Sequence, residues 1–319
     1  MPIARWLQRM PQMWGTCGWM PALCAAGLGL ADGIGIKPGL SGGVQESACV
    51  TAFSFRLPGF ESPGRLEVDG RIGLKISGPD GTVLRRIPFP APFPTSPRLL
   101  PVDVDGDGRL DCLVVPGVGD PDPGAARVLL MMDRGAGMEW VTPPARFGSG
   151  GWRDAVVGDF DGDGVEDVAV ADPDGRCRVW TGDGQGGWQP SAWSSLEECV
   201  KPILRITVID RDDDGIPDLM GWDASGGRHT FSNPRGRPGL RVRLVGRTGL
   251  KDGVGSVIRL RTGTRWGPAR RVVTPMTLLA APGSPTGIEV RWEDGRVTTA
   301  ELGGEPSELT VAGDGVMGR

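Results

Sequence analysis

Three segments of this chain share one arrangement, in which aspartates fall at the first, third, fifth and ninth positions of a loop and glycine falls at the sixth. Each loop lies between two runs of strand-forming residues. The first segment reads LLPVDVDGDGRLDCLVV from Leu99, the second DAVVGDFDGDGVEDVAVA from Asp154, and the third ILRITVIDRDDDGIPDLMGW from Ile203. The loops begin at Asp103, Asp159 and Asp210, spacings of 56 and 51 residues. Further strand-like runs follow, with Gly-rich hairpins at 132–137 and 182–188. A repeat of roughly fifty residues holds about four short strands, which is the size of a propeller blade. The expected fold is therefore all-β, with few and incompletely closed propeller-like blades carrying metal loops, plus a small C-terminal β-domain.

The loop spacing has a chemical meaning. Calcium takes roughly six to eight oxygen ligands, and alternate side chains on a tightly turning loop can converge on one point while position seven offers its backbone carbonyl. The expected ligands are Asp103, Asp105, Asp107, Arg109 and Asp111 in the first loop. In the second they are Asp159, Asp161, Asp163, Val165 and Asp167, and in the third Asp210, Asp212, Asp214, Ile216 and Asp218. Gly108, Gly164 and Gly215 permit the turn at position six. Plain hairpin turns would explain the glycines but not three copies of the carboxylate pattern, because four clustered carboxylates without a cation repel one another. An EF-hand would need a bidentate Glu at position twelve, where this chain has Val114, Val170 and Gly221. Up to three structural Ca2+ ions are expected, as clamps within strand-to-strand elements.

The remaining composition narrows the function. Among 319 residues there is one His, His229, and no Tyr, which removes most general acid and base options and argues against an enzyme. A net charge of -4 supplies no basic field for nucleic acid. The 53 Gly and 29 Pro suit many tight turns. Residues 1–31 carry Arg5 and Arg9 and then a charge-free apolar run. A cleaved signal peptide and a retained membrane anchor both fit, and Cys24 after Ala22-Leu23 loosely resembles a lipoprotein cleavage box. Export follows from either, with a periplasmic or cell-surface location. Cys49, Cys112, Cys177 and Cys199 match no zinc spacing; Cys177 and Cys199 are the nearest pair for a disulfide, with buried thiols the alternative.

Residues 45–97 read as a degenerate blade without a metal loop, with hairpins at Asp69-Gly70 and Asp80-Gly81, followed by a connector or strap built on Pro88, Pro90, Pro92, Pro94 and Pro97. Residues 98–236 hold the three repeats, and 240–311 form a separate β-domain without Asp loops. Arg241, Arg243, Arg247, Arg259 and Arg261 form either a basic docking face or solvated strand faces with Val242, Leu244, Val257 and Leu260 inward.

The repeats resemble the FG-GAP/VCBS repeats of integrin α-subunit propellers and bacterial surface proteins, most clearly from Phe147-Gly148 through AVVGDFDGDGVEDVAVADPDG. The later region is similar to the ASPIC/UnbV domain, through Arg241 to Gly246, Asp252-Gly253-Val254-Gly255 and Val290-Arg291-Trp292-Glu293-Asp294-Gly295. It departs from that pattern at Glu293 and in lacking Phe-Gly between Met276 and Gly287. These resemblances imply calcium-bearing propeller blades. Together with the scarcity of acid and base residues, they lead us to expect a non-catalytic, calcium-stabilised scaffold outside the cytoplasm. It would contact protein subunits of a membrane-associated assembly, a respiratory or photosynthetic complex being one such assembly, with membrane contact through the N-terminus. A glycan-binding adhesion module, with Trp152, Trp180, Trp188 and Trp222 as stacking platforms, is the alternative, and a calcium-dependent enzyme a more remote one.

Overall fold

Unbroken apolar runs such as Cys112-Leu113-Val114-Val115 and Val168-Ala169-Val170-Ala171 are too short for helices and lack polar alternation. Strands of that kind must be covered on both faces. The computed structural model meets that demand by stacking sheets. It describes residues 50–55, 63–117, 128–135, 137–141, 152–172, 174–193, 196, 201–246, 253–274, 276–280, 283–304, 306–313 and 315–317. Phe147-Gly148, Cys49, Cys199, Arg247 and the apolar N-terminal run lie outside these residues.

The first sheet joins β1 (Ala52–Phe55), β2 (Gly64–Asp69), β3 (Gly73–Ser77) and β4 (Val83–Pro88) in sequential antiparallel order. The second joins β5 (Arg98–Val102), β6 (Asp111–Val115), β7 (Leu129–Asp133) and β8 (Met138–Val141). The third orders β9 (Asp154–Gly158), β10 (Asp167–Ala171), β11 (Cys177–Gly182) and β12 (Trp188–Pro190) in the same way. The fourth has β13 (Ile203–Ile209), β14 (Asp218–Asp223) and β15 (Arg228–Phe231), one strand fewer than the other three among the described residues.

Alternate residues of each central strand enter different cores. Cys112 and Val114 pack with Leu66, Leu74 and Ile76 of the first sheet, whereas Leu113 and Val115 pack with Val168 and Val170 of the third. Ala169 and Ala171 turn the other way, toward Ile203, Ile206 and Leu219 of the fourth. These are blades stacked face to face in chain order, which is why β6 and β10 are buried at every position. Among the described residues, no apolar cluster joins the first sheet to the fourth. The expectation of few, incompletely closed blades agrees with this arrangement.

Polar contacts tie the inner strands together. Arg98 Nη1 donates to Asp154 Oδ1 at 2.8 Å, and Asp154 Oδ2 accepts from Ile206 N at 3.0 Å, so one buried carboxylate links β5, β9 and β13. The proline-rich segment acts as a strap. Phe89 and Phe93 are buried edge to face with centroids 5.0 Å apart, and their N–H groups donate to Ile72 O and Arg71 O.

Beyond the blades lies a sandwich of two sheets. Its strands are β16 (Leu240–Val245), β17 (Val257–Thr262), β18 (Arg265–Trp266), β19 (Arg270–Arg271), β20 (Met276–Leu279), β21 (Gly287–Arg291), β22 (Val297–Glu301), β23 (Glu308–Ala312) and β24 (Gly315–Met317). One sheet runs β20-β16-β23-β24, with β16 parallel to β23, and the other β18-β17-β21-β22. Val242, Leu244, Leu309 and Val311 face Ile258, Leu260, Ile288 and Val290 across the core. The expected inward set needs one correction. Val257 and Leu260 are three apart and cannot share a face of a period-two strand. Ile258 and Leu260 point inward, while Val257 packs against the first blade core. No described helix is long and apolar enough to cross a membrane.

Candidate metal centres

Each Asp loop joins the first strand of a blade to the second, and the same backbone bonds recur in all three. The position-six N–H donates to the position-one carboxylate: Gly108 to Asp103 at 2.8 Å, Gly164 to Asp159 at 2.7 Å and Gly215 to Asp210 at 3.2 Å. The position-seven N–H of Arg109, Val165 or Ile216 donates to Asp107, Asp163 or Asp214. Position six has φ of +84°, +87° and +83°, a left-handed backbone that glycine adopts without a steric penalty.

Position nine has a second duty that the spacing did not disclose. Asp111 accepts from Val104 N and Asp133 N, Asp167 from Phe160 N and Gly182 N, and Asp218 from Arg211 N and Asn233 N. One oxygen therefore closes the loop while the other fastens it to the blade's third strand or the residues just beyond. A hairpin signal could have indicated this, since Asp133, Gly182 and Asn233 mark where that strand ends in each repeat.

Oxygen atoms of Asp103, Asp105 and Asp111 lie within 4.8 Å of one another, as do those of Asp159, Asp161 and Asp167, and those of Asp210, Asp212 and Asp214. Asp107, Asp163 and Asp218 are held beside these groups by the bonds just described, and Asp107 also pairs with the Arg109 guanidinium. Burial pushes the Asp103 and Asp159 carboxyls up to about 7 and those of Asp111 and Asp167 up to about 8. Backbone donors and, at Asp159, the Arg270 charge pull the other way without winning. Asp103 Oδ1 and Asp210 Oδ1 are buried without a hydrogen-bond partner. A buried carboxylate oxygen left without a donor is costly, and a hard cation is the ligand that such an all-oxygen set satisfies. The donor sets of the first two loops fit a metal ion, whereas the third also receives a guanidinium on Asp210 Oδ2.

The C-terminal sandwich reaches every loop. Ala269 N donates to Asp103 Oδ2 at 2.7 Å, and Arg291 Nη1 donates to Gly108 O at 2.6 Å. Arg270 grips Glu166 through two bonds of 2.8 and 2.7 Å, with both side chains almost fully buried. Arg241 enters the third loop, its Nε 3.1 Å from Asp210 Oδ2 and its Nη2 2.8 Å from Asp213 Oδ1. These contacts span 28 to 183 residues of sequence and leave no local pattern.

The other expected sites are placed as follows. His229 Nε2 lies 2.9 Å from Asp223 Oδ2 in the β14–β15 hairpin, where Ser225 Oγ donates to the other oxygen of the same carboxylate. Trp152, Trp180 and Trp188 are buried between blades, and Trp222 is half-buried beneath Arg205. Arg259 and Arg261 stack on Trp266 and pair with Glu289 and Glu301, so these members of the arginine series are neutralised.

Residues 103–170 and 159–221 match the FG-GAP-like repeat family, and these spans contain all three loops. No curated protein matches the chain. Among solved structures it is similar to streptogramin B lyase, at 14% identity over 85% of this chain and 89% of that one, with a TM-score of 0.31. A mutant of AofleA from Arthrobotrys oligospora aligns at 11% identity over 82% and 90%, with a TM-score of 0.36. The V. cholerae biofilm matrix protein Bap1 aligns at 10% identity over 79% of this chain and 48% of that one, with a TM-score of 0.34.

Proposed function

We propose that the chain is a non-catalytic, calcium-stabilised scaffold that binds protein partners outside the cytoplasm. The observation that carries this reading is the buried Asp103 Oδ1, which lacks any donor and sits among the oxygens of Asp105 and Asp111. Asp103, Asp105 and Asp111 would hold one ion and Asp159, Asp161 and Asp167 a second. The position-seven carbonyls of Arg109 and Val165, together with Asp107 and Asp163, complete the loops. Calcium supplies charge neutralisation there, not chemistry. The chain's own residues make the loop a clamp, because Asp111 and Asp167 bond both the loop and the third strand.

Two features favour a binding role over catalysis. His229 is occupied in a hairpin turn, and the acidic groups near the loops belong to the candidate ligand sets or to ion pairs. Exposed apolar side chains also lie on the first sheet, Val83 and Leu84 on its edge strand β4 and Ile72 in the turn between β2 and β3. An edge strand of this kind is a ready surface for another protein. A membrane-associated assembly, reached through an exported N-terminus, is the partner class that this reading favours.

Gentle detergent extraction of native membranes, followed by affinity capture and mass spectrometry with and without a calcium chelator, tests the reading. Partners that co-purify in calcium and are lost in chelator are the expected result. Recovery of a free monomer under both conditions would sink it.

A further inference from the structure

We propose that Arg241 is the built-in occupant of the third Asp loop, so that the chain binds two calcium ions and not three. This rests on the calcium reading of the first two loops. The three loops share their backbone bonds but differ in what meets the buried position-one carboxylate. Asp103 accepts from the N–H groups of Gly108 and Ala269, and Asp159 from those of Gly162, Asp163 and Gly164. Asp210 instead receives the Arg241 guanidinium, through both Nε and Nη2 on its Oδ2. The guanidinium bonds the oxygen whose counterpart in the first loop takes Ala269 N, and Oδ1 stays without a partner in both loops. It puts a fixed positive charge against the carboxylates of the third loop, and like charges at close range in a partly buried site oppose one another.

Position four strengthens the assignment. The first two loops carry glycine there, Gly106 at φ +68° and Gly162 at +75°. The third loop carries Asp213 at φ +65°, the one non-glycine with positive φ among the described residues. An aspartate in that conformation is strained relative to glycine and persists where its surroundings hold it. Here Asp213 Oδ1 lies 2.8 Å from Arg241 Nη2, forming the second arm of the grip. The ligand geometry departs as well. The clustered oxygens come from positions one, three and nine in the first two loops but from one, three and five in the third. Arg241 is anchored on β16 by a bond from its N–H to Ser307 O, and Gly239 N donates to Gly215 O beside it. The fourth blade is thus joined to the C-terminal sandwich by a contact that needs no metal.

Native mass spectrometry and calorimetric titration of the full chain with calcium count the sites directly. Wild type is expected to bind two ions and Arg241→Gln three, with the two original sites serving as the check that the variant has folded. Asp213→Gly removes one arm of the grip and restores the glycine of the other loops. It is expected to lower the calcium concentration needed for a third ion at least ~10-fold, a shift of about 1.4 kcal/mol. Arg243→Gln, an exposed change on the same strand, should leave the count at two. Three ions in wild type, or two in Arg241→Gln together with an unshifted Asp213→Gly, would overturn this proposal and leave the calcium reading standing. No ions in any protein would overturn the calcium reading and this proposal with it.

Discussion

Replacing Asp167 by asparagine separates the metal role of position nine from its backbone role. In the metal-free protein burial pushes this carboxyl up to about 8, so near pH 7 it is largely the neutral acid, and asparagine has nearly the same shape and charge. The acid accepts from Phe160 N at 2.7 Å and from Gly182 N at 2.9 Å. Asparagine keeps one acceptor and turns an NH2 toward the other donor, which costs about 1–3 kcal/mol for an unsatisfied buried N–H. Calcium at about one hundred times its dissociation constant adds about 2.7 kcal/mol per site to wild type. The variant lacks the carboxylate and should lose the increment of the second loop. The stability gap should therefore widen from about 1–3 kcal/mol in chelator to about 4–6 kcal/mol in calcium. Urea denaturation followed by tryptophan fluorescence, with excess chelator and with excess calcium, measures both gaps. A gap of the same size under both conditions would refute the placing of Asp167 around an ion.

Acidity should act oppositely on the two forms. With Asp103 and Asp159 raised to about 7 and Asp111 and Asp167 to about 8, from 3.8, the metal-free folded chain holds more protons than the unfolded chain across that window. Its stability should fall as pH rises from about 4 to about 8, while calcium affinity should rise over the same range because protons compete with the ion. Thermal melts at several pH values in chelator, with calcium titrations alongside, check both slopes, and parallel slopes would contradict the account. Arg270→Leu leaves Glu166 buried without its partner and should cost about 3–5 kcal/mol. Adding Glu166→Leu should recover most of that loss, measured as a double-mutant cycle by chemical denaturation; simple additivity would show that the pair is not coupled.

The sequence carried the blades and the loops because both are periodic. Asp, Gly and β-branched residues recur at fixed offsets within each repeat, and every bond inside a loop spans few residues. What it did not carry lies in contacts between repeats. Asp154 joins three inner strands through partners 56 and 52 residues away, and Glu166 meets Arg270 across 104 residues. No local spacing marks such pairs. The tryptophans show a related limit, since a large ring between Gly-rich turns suits an exposed platform as well as an interblade core. The stacking of blades buries Trp152, Trp180 and Trp188. Val257 lies out of phase with the expected inward set: its strand alternates inward at Ile258 and Leu260, and its own side chain packs against the first blade.

Differential scanning calorimetry of the full chain in millimolar calcium and in excess chelator bears most directly on the claim that ions clamp the blades. At about 2.7 kcal/mol per filled site and about 2–4 °C per kcal/mol for domains of 150–250 residues, two filled sites should raise the melting temperature by about 10–20 °C, reversibly. An unchanged melting temperature across the two conditions would contradict the account.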